Sequence, residues 1–222
     1  MQGYFIIHYI QGFIMDEQIF FAINGAHNVF FDQLMWLLTG KTVWVPLYVA
    51  LLYAVWRNYS WKGAIGVLLM VGIGMLFTDY LNSHFLRPWI GRLRPSNPDN
   101  PIAPLVHIVN GRHGNGCGFP SAHSANMWML TFVIAHWLRS RLLSFSMATL
   151  TLAICYSRVY LGFHYPGDIL GGLVLAFLVV FILQWIHTRY LHFTPALPVR
   201  QDWVPVAVIC ATILYMITIT IF

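Results

Sequence analysis

The sequence predicts an all-α, polytopic membrane bundle of about six transmembrane helices, preceded by N-terminal helices lying along the interface. Three observations lead there. First, of 222 residues 59% are hydrophobic and only 9% are charged, against roughly 25% charged in an average soluble domain. So few charges cannot cover a water-facing surface of this size. Second, the apolar residues run in long uninterrupted stretches rather than in ten-residue alternation, which selects helices over a β-barrel. Third, the polar residues gather into a few short islands between those stretches. A soluble enzyme and a disordered tail fit poorly on these grounds. So does a nucleic-acid-binding module, because the pI near 9.3 has no Lys/Arg-rich polar stripe behind it.

Taken in order, the apolar start from Tyr4 to Ile14 has no basic residue before Lys41. It lacks the positive flank of a cleaved signal and is expected to stay in the mature chain. Over residues 16–38, Asp16, Glu17, Asn24, His27, Asn28 and Asp32 interrupt Phe20, Phe21, Phe30, Phe31, Leu34 and Trp36. That mixture favours interfacial helices over a polar extra span. A short span from Thr42 to Trp56 follows, flanked by Lys41 and Arg57, whose stems can snorkel to the two interfaces. The next spans run from Gly63 to Leu86, Phe119 to Leu138, Leu142 to about Leu161, Pro166 to His187, and Trp203 to Phe222. Gly167 and Gly171 give the fifth a small-xxx-small pair suited to close helix contact. The organisation expected is one domain over 1–222: an N-terminal region 1–41, a core 42–188 and an added C-terminal helix 203–222. Cys117, Cys155 and Cys210 are too far apart for a disulfide framework or a zinc pattern.

Basic residues divide evenly between the two ends of such a bundle. Arg57, Lys62, Arg139, Arg141, Arg189 and Arg200 fall at one; Lys41, Arg87, Arg92, Arg94, Arg112 and Arg158 fall at the other. The raw count gives no orientation. With Arg87, Arg94 and Arg158 set aside as ligands of an anion, the tight hairpins become cytoplasmic and the long loop faces the exterior.

Three polar islands share that second end. They are Arg87-Pro-Trp-Ile-Gly-Arg-Leu-Arg94-Pro95, then Phe119-Pro120-Ser121-Ala122-His123-Ser124, then Ser157-Arg158 through His164 to Asp168. Ionisable groups near a bilayer are expensive, so three clusters at one end make a site. Arg87, Arg94 and Arg158 offer planar donor forks that match phosphate oxygens. Ser121, opening an apolar helix, adds a hydroxyl and first-turn N–H groups. His164 can attack phosphorus to form a phosphohistidine, Asp168 can hold its other ring N–H, and His123 can protonate the leaving group. No carboxylate cluster suited to Mg²⁺ or paired metals occurs there, so the arginines would supply the charge stabilisation. No metal, other cofactor or obligate protein partner is expected.

These residues resemble the three-part signature of the type 2 phosphatidic acid phosphatase (PAP2) superfamily. Six residues separate Arg87 from Arg94-Pro95, and Arg87 stands where the family usually has Lys. Pro120-Ser121-Ala122-His123 has Ala122 where Gly is commonest, and Ser157-Arg158, His164 and Asp168 match the third part throughout. The resemblance covers roughly residues 20–190. It implies a metal-independent lipid phosphatase with His164 as nucleophile, Asp168 as its orienter and His123 as acid. Arg87, Arg94, Ser121 and Arg158 would bind phosphate. The compact size points to a bacterial cytoplasmic membrane, with the site facing the periplasm. The substrate would be a lipid phosphate such as undecaprenyl pyrophosphate, a lipid A phosphate, phosphatidic acid or phosphatidylglycerol phosphate. A non-catalytic lipid-headgroup carrier is the second reading. A vanadate-dependent haloperoxidase shares the signature, but those relatives are soluble.

Other polar residues read more plainly. Arg92 is expected to be a solvated or headgroup-facing charge. Asp79, Asn82 and His84 either line the site or bond neighbouring helices. His107, His113, Cys117 and His123 match no standard zinc spacing. Gly111, Gly114, Gly116 and Gly118 suggest a slack loop or a mobile lid.

Overall fold

The structure is a computed structural model describing residues 14–191 and 202–222. Most of the apolar start from Tyr4, and the Arg200 assigned to one membrane face, lie outside the described residues. Helix α1 covers residues 14–24 and α2 covers Val29–Leu38, so the polar–apolar mixture at the N-terminus forms two short helices. Asn28 caps α2, its side chain accepting the Phe31 N–H at 2.9 Å, the usual role of Asn before an apolar run. After a 3₁₀ turn at Thr42–Trp44 comes α3, Val45–Asn58. The α2 and α3 segments meet at a 64° bend; taken together they are long and apolar enough for a broken span or a re-entrant loop.

Helix α4, Trp61–Leu81, starts at Ser60, whose hydroxyl accepts the Gly63 N–H. It continues through a π turn at Asn82–Leu86 into α5, Arg87–Ile90. The continuous segment is 30 residues long, or about 45 Å at 1.5 Å per residue. A hydrocarbon core is only about 30 Å thick, so the end carrying Arg87 rises into the interface. Helices α6 (Ala122–Leu138), α7 (Arg141–Tyr160), α8 (Pro166–Ile186) and α9 (Trp203–Ile221) complete the bundle. Among the described residues, four helical segments are long and apolar enough to cross a membrane, or five with the bent α2–α3 pair as one. All six expected stretches form helices. Helix α6 has 17 residues, at the short end of the spanning range, and α3 has 14, too few to span by itself.

Helix α6 is central, packing most extensively on α8 and α7 and also on α4. A buried Thr131–Thr151 hydroxyl pair at 2.8 Å links α6 to α7. Small residues set the α6–α8 approach: a Cβ on Gly172 would lie 2.6 Å from the Ser121 carbonyl oxygen and 2.7 Å from Ser124 Cβ. Only hydrogen fits there. The α3–α4 and α6–α7 hairpins meet at one end, where the Tyr59 hydroxyl donates to the Trp137 carbonyl at 2.8 Å. Ser140 in the second hairpin bonds Asp202 at the start of α9. The three polar islands gather at the opposite end.

Candidate active site

The site is assembled from the ends of four helices. At the end of α4 the π turn gives Asn82 a buried position, and its amide donates to the Pro120 carbonyl at 3.1 Å. That bond fastens the end of α4, just before the first island, to the second, and π turns of this kind recur at functional positions. Ser121 is the N-cap of α6: its hydroxyl accepts the Ser124 N–H at 3.4 Å. The Ser121 N–H donates to the Asp168 carbonyl at 2.9 Å, which fastens the second island to the third.

Asp168 sits in the first turn of α8, three residues after the cap Tyr165. Its Oδ2 accepts the Tyr165 N–H at 3.0 Å and faces His164 Nδ1 at 3.3 Å. One carboxylate thus starts the helix and holds the histidine ring. With a proton on Nδ1, Nε2 carries the lone pair. His164 is 1% exposed. Burial, followed by the charges of Arg158, Arg94 and Arg87, holds it well below the ordinary value of 6.5, with a backbone hydrogen bond at Gly118 opposing. The ring is therefore neutral near pH 7.

Arg94 is placed by a short pairing of Leu93 with Cys117 and donates from Nε to the Cys117 carbonyl at 3.4 Å. Burial pulls its guanidinium below the ordinary value, and the charge of Arg87 adds to that. Arg158, in the last turn of α7, is 7% exposed. Its Nη1 donates to the Thr39 hydroxyl at 2.9 Å, and its guanidinium stacks 4.2 Å over Phe163. Among the described residues, the buried Nε atoms of Arg87 and Arg158 have no hydrogen-bond partner. Buried arginine donors without acceptors are costly, a cost that an oxygen acceptor would relieve.

Arg94, Arg158 and His123 share the wall of a polar cavity of about 590 Å³ with Lys41, Arg112 and Thr39. Cavities of roughly 300–1,000 Å³ enclose whole small molecules rather than single ions. A second, apolar cavity of about 550 Å³ runs between α3, α4 and α6, walled by Leu51, Val67, Val71, Met127 and Leu130. The two share Lys41 and His123. Five of the seven expected residues thus sit at or directly behind one cavity: Arg94, Arg158 and His123 in its wall, His164 next to Phe163 of that wall, and Asp168 against His164. Ser121 is buried beneath as a helix cap, and Arg87 lies beside the group within electrostatic reach of Asp168 and Arg94.

Residues 63–191 match the sequence profile described as the PAP2 superfamily. A lipid A 4′-phosphatase of Bacteroides thetaiotaomicron is 42% identical over 185 residues, covering 82% of this chain and 82% of that protein. The chain belongs to the PAP2 superfamily. A lipid A 4′-phosphatase of Porphyromonas gingivalis is 28% identical over 74% of this chain and 70% of its own length. Among solved structures, a transmembrane PAP2 type phosphatidylglycerolphosphate phosphatase from Bacillus subtilis shares the fold. Its TM-score is 0.58 at 23% identity, over 84% of this chain and 90% of that one. This PAP2 protein is an integral membrane lipid phosphatase.

The fold also corrects several readings of single residues. Arg92 is not solvated: its side chain is 14% exposed and ion-paired. The glycine-rich loop is not slack near the site. Gly114 N–H is held by the Ser96 hydroxyl at 2.9 Å, and Gly118 N–H by the Arg92 carbonyl at 2.8 Å. Asp79 accepts from Asn126 across α4 and α6 at 3.1 Å and lines the apolar cavity. His107 bonds Asp32 and His113 bonds the Ser96 carbonyl. Among the described residues no three His, Cys, Asp or Glu side chains gather as metal ligands. Thr39 and Asp16, from the N-terminal helices, went unnoticed in the sequence because only tertiary contact brings them to the signature.

Proposed function

We propose that this PAP2 enzyme removes phosphate from a lipid A-type phosphoester through a phosphohistidine formed on His164. The observation that carries the reading is the junction of the two cavities at His123. A polar, arginine-walled chamber suits the phosphorylated headgroup, and an apolar groove suits its hydrocarbon tail. The similarity to lipid A 4′-phosphatases favours a lipid A phosphomonoester over undecaprenyl pyrophosphate.

In the proposed reaction Arg87, Arg94 and Arg158, with Ser121 at the start of α6, bind the phosphoryl oxygens and stabilise the charge that develops on them. Arg94 and Arg158 must regroup around the phosphate, since His164 lies behind the cavity wall. The His164 Nε2 lone pair attacks phosphorus, the P–O bond to the lipid breaks, and its electron pair leaves with the alkoxide oxygen. His123 donates a proton to that oxygen. Asp168 holds the Nδ1 proton and offsets the positive charge gained by the ring. In the second step His123 takes a proton from water, whose oxygen displaces His164 and releases inorganic phosphate. With Arg87, Arg94 and Arg158 assigned to phosphate, the remaining basic residues favour a site on the exterior, periplasmic face of the cytoplasmic membrane.

The test is phosphate release by purified protein in detergent with EDTA present, against a panel of lipid A, undecaprenyl pyrophosphate, phosphatidic acid and phosphatidylglycerol phosphate. Lipid A is expected to be the preferred substrate, and His164→Ala to lower release by about 10³-fold or more. A His164→Ala protein as fast as the parent would refute the nucleophile assignment.

A further inference from the structure

Arg92 lies outside the phosphate-binding set and shares its guanidinium between two carboxylates. Its Nη2 is 2.6 Å from Asp16 Oδ2 on α1 and its Nη1 is 3.3 Å from Asp168 Oδ1. The plane of the fork lies 3.9 Å over the Tyr165 ring. Asp16 in turn accepts the Gly167 N–H through Oδ1 at 2.7 Å. On the other side, the Arg92 carbonyl takes the Gly118 N–H, and Gly118 lies against both Asp168 and His164. Arg92 therefore touches Tyr165 and Asp168 directly, and its carbonyl holds Gly118 against the histidine–aspartate pair.

The oxygens of Asp168 have divided duties. Oδ2 serves His164 and the Tyr165 N–H, while Oδ1 serves Arg92. The terminal torsion of an aspartate is broad when unrestrained, and a carboxylate gripped at both oxygens cannot turn. Asp168 is 0% exposed, and a buried carboxylate needs a charged partner to stay ionised. His164 is neutral before attack, so at that stage the partner is Arg92.

We propose that Arg92, anchored by Asp16 from the N-terminal helix, is a positioning residue that fixes Asp168 and so aims His164 at phosphorus. The proposal rests on the nucleophile assignment above. It extends the reaction machinery to Asp16, which lies outside the residues matching the superfamily profile. Gripping two carboxylates also sets Arg92 apart from Arg94 and Arg158, which wall the substrate cavity.

A double-mutant cycle on full-length protein in detergent tests it, reading kcat and KM for lipid A hydrolysis. Arg92→Met is expected to lower kcat about 10-fold to 100-fold with KM changed less than about threefold, the span of one charge-assisted hydrogen bond to a reacting group. In an Asp168→Asn background the same substitution is expected to cost less than about threefold, because the residue it serves is already disabled. Arg92→Lys, which can hold one carboxylate, recovers part of the loss. Asp16→Asn, which leaves Arg92 in place, costs about twofold to fivefold. Equal losses from Arg92→Met on both backgrounds, or a change confined to KM, would overturn the proposal. An Asp168→Asn protein as active as the parent overturns the histidine–aspartate reading itself, and the positioning role with it. Should Arg92→Met not fold, Arg92→Lys and Asp16→Asn close the same cycle.

Discussion

Gly118 is the glycine that lies against both Asp168 and His164, and Gly118→Ala tests the reasoning most directly. A Cβ there would stand 2.8 Å from Asp168 Oδ2, 3.2 Å from Arg94 Cγ and 3.5 Å from His164 Nδ1. The first distance falls about 0.6 Å short of the 3.4 Å where ordinary contact begins. Neither side can yield freely. The Gly118 N–H is tied to the Arg92 carbonyl at 2.8 Å, and Asp168 Oδ2 is held by the Tyr165 N–H and His164. The displacement therefore passes into the histidine–aspartate pair. Misplacing a reacting group by about 1 Å costs on the order of 10²-fold, so 0.6 Å is expected to lower kcat by roughly 10-fold to 100-fold. The assay is phosphate release from lipid A, with thermal unfolding in detergent followed in parallel. Gly72→Ala in α4, where a Cβ meets nothing within 4 Å, is the control and is expected to keep full activity. A Gly118→Ala enzyme with parental kcat would refute the claim that this geometry governs the reaction.

Three further outcomes are expected. On the proposed attack by the neutral His164 ring, whose folded pKa lies well below 6.5, the acid limb of kcat/KM should lie below pH 6.5; a limb above pH 7 contradicts the burial argument. The unfolded chain binds the extra proton first as pH falls through 6.5, so stability should also drop over the window below that value, and His164→Asn should flatten the drop. Thr39→Val removes the acceptor of Arg158 Nη1 while keeping the shape. It should lower kcat/KM by about threefold to tenfold, and an unchanged value would show that Arg158 needs no tether from the α2–α3 bend.

The membrane class and helix order were legible because lipid imposes a one-dimensional rule: each crossing must be a long apolar run. The span expected from Trp203 forms α9, and that expected from Pro166 forms α8. The exception is instructive. The run from Thr42 yields α3, too short alone and bent against α2, because composition does not report a break at Thr39–Lys41. The signature residues stood out for another reason: Arg94, His123, Arg158 and His164 fall at fixed spacings in three islands at one end of the bundle, where ionisable groups are expensive. Arg92 was misread because one arginine in a loop looks like any other until its partners are known. Asp16 lies 76 residues away from it, and no local pattern joins them.

By itself, the sequence determined that the chain is a helical membrane protein and which residue types could handle a phosphate, since both follow from local chemistry and from the cost of charge in lipid. Only the tertiary structure decided which of those charges face the polar cavity and which brace the others. Arg94 and Arg158 line the cavity, Arg92 grips Asp16 and Asp168, and Ser121 caps a helix. The physical reason is that an arginine's role is set by the nearest carboxylate or open space, and both are supplied by distant parts of the chain.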